Sequence, residues 1–71
     1  MNGNVKTLKK ERGFGFIKGD DGREYFFHVS GMNEKGEFDH LQEGDPVSFD
    51  VDTEATRGLR AKDIERRVDG D

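Results

Sequence analysis

The sequence predicts an all-β fold, a single small antiparallel barrel of five short strands. Three observations carry that expectation. Apolar and polar or small residues alternate at Arg12-Gly13-Phe14-Gly15-Phe16-Ile17 and again at Val47-Ser48-Phe49-Asp50-Val51, the period at which successive side chains face opposite sides of a strand. Ten glycines and one proline in 71 residues suit short strands joined by tight turns. No stretch shows a sustained helical period between capping residues, and closing five strands into a barrel removes open sheet edges.

The elements follow in order. A first strand is expected over residues 5–8, running toward 10, and a second over 12–18. Gly19-Asp20-Asp21-Gly22 forms a turn, because Asp-Gly tolerates positive φ. The third strand spans 24–29. Residues 31–44 form a long loop, packed by its own Phe38 and Leu41 or kept for function. Gly44-Asp45-Pro46 opens the fourth strand, where Val47, Phe49 and Val51 face inward between Ser48, Asp50 and Asp52. A turn over 53–58 leads to a fifth strand over 59–64. Residues 1–66 are expected as one domain and 67–71 as a charged tail that frays. The interior set is Val5, Leu8, Ile17, Phe27, Leu41, Val47, Phe49, Val51, Ala61 and Ile64. So small a core implies a stability of about 2–4 kcal/mol.

Composition narrows the function. Hydrophobic residues make up 30% and charged residues 39%, lean for a folded domain, yet six phenylalanines and clean alternation argue for order. There is no cysteine, so no disulfide and no thiolate metal site. His28 and His40 are too isolated for a zinc site, and Asp39, His40 and Glu43 are a weak metal candidate; no metal and no cofactor is expected. No apolar run approaches a membrane span and no signal-peptide core is present, so a soluble cytoplasmic protein that engages no membrane is expected. Serine occurs only as Ser30 and Ser48, neither in a nucleophile-elbow context, and no apolar pocket to tune a pair of acids is visible. The chain is not expected to be an enzyme or to take a small-molecule substrate.

Net charge is −4, but its distribution is uneven. Residues 1–18 carry five bases and one acid, and residues 19–54 carry eleven acids and two bases. The basic part coincides with the first aromatic pair. As a strand, residues 12–17 put Phe14 and Phe16 on one face and Gly15 and Ile17 on the other. So small a chain cannot bury both faces, which leaves the two rings solvated beside Arg12 and Lys18. In Tyr25-Phe26-Phe27-His28, Phe26 and His28 share a face opposite Phe27. Aromatic rings among cations are what stacking single-stranded bases requires. Gly13 and Gly15 form no phosphate loop, since neither a following helix nor a Gly-Lys-Ser/Thr completes one. They suit close strand packing or room for a base above the sheet.

Arg12-Gly13-Phe14-Gly15-Phe16-Ile17 partly matches the RNA-recognition-motif signature, but that fold needs helices and places its signature on a late strand. The whole pattern instead resembles the bacterial cold-shock domain, a five-stranded OB-type barrel. That family's Lys-Gly-Phe-Gly-Phe-Ile appears as residues 12–17, and its Val-Phe-Val-His-Phe-Ser as Tyr25-Phe26-Phe27-His28-Val29-Ser30. Its Phe-x-x-Leu-x-x-Gly appears as Phe38 through Gly44, its Val-Ser-Phe as Val47-Ser48-Phe49, and its late Arg-Gly as Arg57-Gly58. The resemblance implies that Phe14, Phe16, Phe26, His28 and Phe38 stack bases. It also implies that Lys6, Arg12, Lys18 and Arg57 supply cations, and that Glu24 stands where the family often has a base-contacting aspartate. The implied partner is single-stranded RNA or DNA, bound by a monomer that acts as an RNA chaperone.

Two platforms of the family are missing. Its Lys-Trp-Phe appears here as Lys6-Thr7-Leu8, and Val29 replaces the phenylalanine after the histidine. Phe27, in place of a core valine, is expected to face inward, with Leu8 its smaller companion. Weaker binding follows, by ~2–6 kcal/mol if each lost ring stacks one base. The missing platforms and the acidic centre keep a second reading open: an OB-type protein-interaction module or ribosome-associated accessory with residual nucleic-acid affinity.

Overall fold

The computed structural model describes residues 1–53 and 58–67, Lys35 by its backbone alone. Five strands form one antiparallel sheet: β1 (Asn2–Lys9), β2 (Phe14–Gly19), β3 (Glu24–His28), β4 (Pro46–Val51) and β5 (Ala61–Arg66). Their order across the sheet is β3-β2-β1-β4-β5. The sheet curls until its two edges meet. The backbone N–H of Phe26 donates to the carbonyl of Leu59 at 3.1 Å, and parallel bridges join Phe26 to Arg60 and Met32 to Ile64. This is the expected OB-type architecture, closed along one side by a short seam rather than a full ladder.

Turn chemistry sets the β1–β2 hairpin. Gly13 lies at φ +76°, a conformation open to glycine at little cost. Its N–H donates to the carbonyl of Lys9 at 2.9 Å, and its own carbonyl accepts from Val29 N at 2.8 Å. Residues 11–13 therefore belong to the turn, and Arg12 sits on it rather than in β2. β1 starts earlier than alternation suggests, because Asn2, Gly3 and Asn4 pair with Ser48, Val47 and Pro46 of β4. β5 runs two residues later at each end than expected. Residue 67, the start of the expected tail, is tied down by Arg67 N donating to Pro46 O at 2.9 Å. Residues 68–71 and most of the expected 53–58 turn lie outside the described residues.

Two bulges reset the alternation. Between Val5 and Thr7 the β1–β2 register slips, so Val5 opposes Ile17 while Thr7 opposes Phe16. Between β4 and β5, Ser48 opposes Glu65 and Asp50 opposes Lys62, which leaves Asp63 and Ile64 across from Phe49. Asp63 takes φ +51° there. The extra residue lets Ala61 and Ile64, three apart, both point inward.

The core comprises Val5, Ile17, Tyr25, Phe27, Met32, Phe38, Leu41, Val47, Phe49, Ala61 and Ile64. Leu8 and Val51, expected inside, are only partly buried against it. Tyr25 packs on Phe49 with centroids 5.1 Å apart, and its hydroxyl donates to Asp21 at the surface. The long loop is not structureless. It folds as two 3₁₀ segments, Val29–Gly31 and Lys35–His40, with Met32, Phe38 and Leu41 as anchors.

Candidate nucleic-acid interface

The β2–β3 ladder pairs Phe14 with His28, Phe16 with Phe26 and Lys18 with Glu24. Opposed residues project to the same side, so these six share one outer face. The intervening Gly15, Ile17, Tyr25 and Phe27 are buried on the other. Phe14, Phe16, Phe26 and His28 are each half-buried: seated against neighbours, with part of each ring open to solvent. The three phenylalanines touch mutually. Phe26 lies 5.7 Å from both Phe14 and Phe16, and Phe14 lies 6.4 Å from Phe16. Phe14 and Phe26 are tilted by only 32°, whereas Phe16 meets both of its neighbours edge-on. The pairs prefer such tilted and perpendicular contacts because ring edges are positive and faces negative.

β1 borders this face. Its bulge puts Thr7 opposite Phe16, so Thr7 adjoins the aromatic cluster. Lys6 sits at the bulge and donates to the Glu24 carboxylate. That hydrogen bond first, and the charge of Lys6 second, hold the Glu24 carboxyl below its usual range. Lys6 is thus engaged before any ligand arrives, although an ammonium keeps further donors. Arg12 and Lys18 are exposed, Arg12 on the turn next to Phe14 and Lys18 across the ladder from Glu24.

His28 is oriented by the first 3₁₀ segment. Its Nδ1 accepts from Ser30 N at 3.1 Å, with Ser30 Oγ 3.0 Å from the same nitrogen. An accepting Nδ1 places the proton of the neutral ring on Nε2.

One expectation is corrected. Phe38, assigned to the stacking face, is 3% exposed and meets Phe27 edge-on at 6.2 Å. A loop of polar residues and glycines needs an apolar plug to pack at all, and Phe38 fills that role with Leu41; it offers no face to a base. Arg57 lies outside the described residues.

A further residue of the site is absent from the sequence reading. The Arg60 guanidinium lies 5.5 Å from the centroid of Phe26, within cation–π range. Its position depends on the seam between β3 and the segment before β5, which alternation along either strand does not reveal. Among the described residues no group of three His, Cys, Asp or Glu side chains could hold a metal ion, and no helix is long and apolar enough to cross a membrane.

The arrangement offers one open aromatic platform fringed by cations. Comparison with known proteins agrees with that chemistry. Residues 1–67 match the model of the 'Cold-shock' DNA-binding domain. The cold shock-like protein CspB of Bacillus cereus is 42% identical over 64 residues, which cover 90% of this chain and 95% of that protein. The cold shock protein CspC of Bacillus subtilis is 41% identical over 64 residues, 90% and 94% of the respective chains. The major cold shock protein of Streptococcus pyogenes is 44% identical over 62 residues, 87% and 90%. Fold, motif order and relatives agree in favouring nucleic-acid binding over a protein-interaction module, and the chain belongs to the cold-shock DNA-binding domain family.

Proposed function

We propose that the protein binds single-stranded RNA or DNA by stacking bases on Phe14, Phe16 and Phe26, with His28 at the margin. Lys6, Arg12, Lys18 and Arg57 supply the phosphate-neutralising charge, and Glu24 tempers Lys6. The observation that carries this reading is the division of the six phenylalanines: Phe27, Phe38 and Phe49 are buried in the core, whereas Phe14, Phe16 and Phe26 form one partly exposed cluster. Every base has a π-face, so such a platform accepts most sequences.

Stacking on protein competes with base pairing. The protein therefore acts as an RNA chaperone, holding transcripts open without ATP and without catalysis, as a cytoplasmic monomer. Thr7 and Val29 supply no platform, so binding is weaker than in relatives with the full aromatic set.

Titration with short oligothymidine and oligouridine, followed by amide chemical shifts, tests the reading. Shifts centred on Phe14, Phe16, Phe26 and His28 that saturate at micromolar strand are expected. The salt slope should be about −0.7 per phosphate over ~2–4 contacts. Nanomolar affinity for oligothymidine at moderate salt would refute the weakened site. Absence of saturable shifts at millimolar strand would refute the stacking face and leave a protein partner as the alternative.

A further inference from the structure

Arg60 differs from Arg12 and Lys18, which likewise carry no ion pair among the described residues, in lying over a ring of the outer face. The hydrogen bond from Phe26 N to Leu59 O and the bridge from Phe26 to Arg60 fix its backbone beside the platform. Lys6 is engaged by Glu24, and Arg66 by Asp45. Among the described residues, no carboxylate lies within ion-pair distance of the Arg60 guanidinium. Its planar fork of five N–H donors lies over the ring of Phe26, with its N–H groups open to a ligand at the border of the cluster.

We propose that Arg60 reads base identity, favouring a guanine at the position stacked on Phe14, beside Phe26. The proposal rests on the stacking face described above and names what that face prefers. Arg60 covers part of Phe26, and Phe14 is the neighbouring ring most nearly parallel to Phe26, so a base stacked on Phe14 lies beside the guanidinium with an edge toward it. In a single strand both edges of that base are open to hydrogen bonding. A guanidinium donates only, and it donates in parallel pairs. Guanine presents O6 and N7 side by side, the pair that arginine reads most often. Thymine, uracil and adenine set a donor beside each edge acceptor, so one arm of the fork meets an N–H. Cytosine presents N3 and O2 together, but stacks a smaller ring.

The test steps one guanine through a short oligothymidine and measures affinity by fluorescence titration. A second series carries 7-deazaguanine, which keeps the purine face and O6 but lacks the N7 acceptor. Arg60→Lys keeps the charge and removes the fork. The residue is exposed, and an unchanged circular dichroism spectrum checks the fold. At one position guanine should tighten binding on the order of tenfold. 7-Deazaguanine and Arg60→Lys should each abolish that gain, read in each protein as the ratio of its affinities for the guanine-bearing strand and for plain oligothymidine. An equal gain from both purines, or a gain that survives Arg60→Lys, overturns the role of Arg60. Saturable binding of plain oligothymidine with no gain from guanine anywhere overturns base reading and leaves the stacking face standing. Failure of every strand to bind overturns both.

Discussion

The ring of Phe27 occupies the space that a β-carbon on Gly15 would need. The two residues oppose each other on β2 and β3, and such a carbon would lie 2.8 Å from Phe27 Cε1 and 2.5 Å from the Thr7 carbonyl oxygen. Gly15→Ala should destabilise the fold by about 1–3 kcal/mol, the usual cost of forced overpacking. The penalty should be smaller in a Phe27→Val background but not zero, since the Thr7 carbonyl does not retreat. Urea midpoints of the four proteins in that cycle measure the coupling; identical penalties in both backgrounds would mean that the ring is not the obstacle.

Phe14→Ala and Phe26→Ala should each weaken oligothymidine binding by about 1–3 kcal/mol. Both side chains are half-exposed, so their urea midpoints should move far less than that of Phe27→Ala. An affinity loss matched by a stability loss of the same size would point to unfolding rather than to a lost platform.

Thr7→Trp restores an aromatic ring beside Phe16. Binding should tighten by about 1–3 kcal/mol, one extra stacked base. Unchanged affinity in a folded Thr7→Trp protein would show that the opposing β1 position does not reach the strand.

Asp63 carries the bulge of β5 at φ +51°, where most side chains crowd the backbone and glycine does not. Asp63→Gly should be neutral or stabilising by up to ~1 kcal/mol, whereas Asp63→Val should cost about 1–2 kcal/mol. Equal midpoints for the Gly and Val variants would contradict a left-handed residue at this site.

The Tyr25 hydroxyl donates to Asp21 Oδ2 at 2.5 Å, and Asp21 Oδ1 accepts from Arg23 N at 3.0 Å. The bond from Tyr25, then that from Arg23, hold the Asp21 carboxyl below its usual 3.8. The same bond, then burial, then the charge of Asp21, lift the Tyr25 phenol above its usual 10.0. A depressed acid contributes stability above its unfolded pKa and loses it as pH falls through the folded value. A raised phenol contributes below its unfolded pKa and loses it as pH rises through the folded value. The stability advantage over Tyr25→Phe should therefore be level at neutral pH, shrink below 3.8 and shrink again above 10.0. Urea midpoints across pH measure it, and an advantage constant to both extremes would exclude the pair as its source.

Strand number, the inward set around Phe49 and the outer face of Phe14, Phe16, Phe26 and His28 were legible in the sequence, because period-two alternation is a local signal. The same alternation could have placed Tyr25 inside with Phe27. It failed where a bulge resets the phase, as at Lys6 and Asp63, since nothing local marks the extra residue. Phe38 was misassigned because a motif records residue type but not which way a loop folds. Arg60 was missed because its neighbour Phe26 is distant in the chain and meets it only through backbone pairing.

That seam ties site assembly to the arrival of β5. During synthesis, both aromatic motifs emerge well before Leu59 exists to accept from Phe26, and non-local pairing of this kind forms slowly. A fragment ending ahead of that residue keeps its phenylalanines but leaves Phe26 on an open strand edge, prone to pair with another chain. Arrival of β5 both finishes the platform and covers that open edge, so the backbone contact that builds the binding face also guards it.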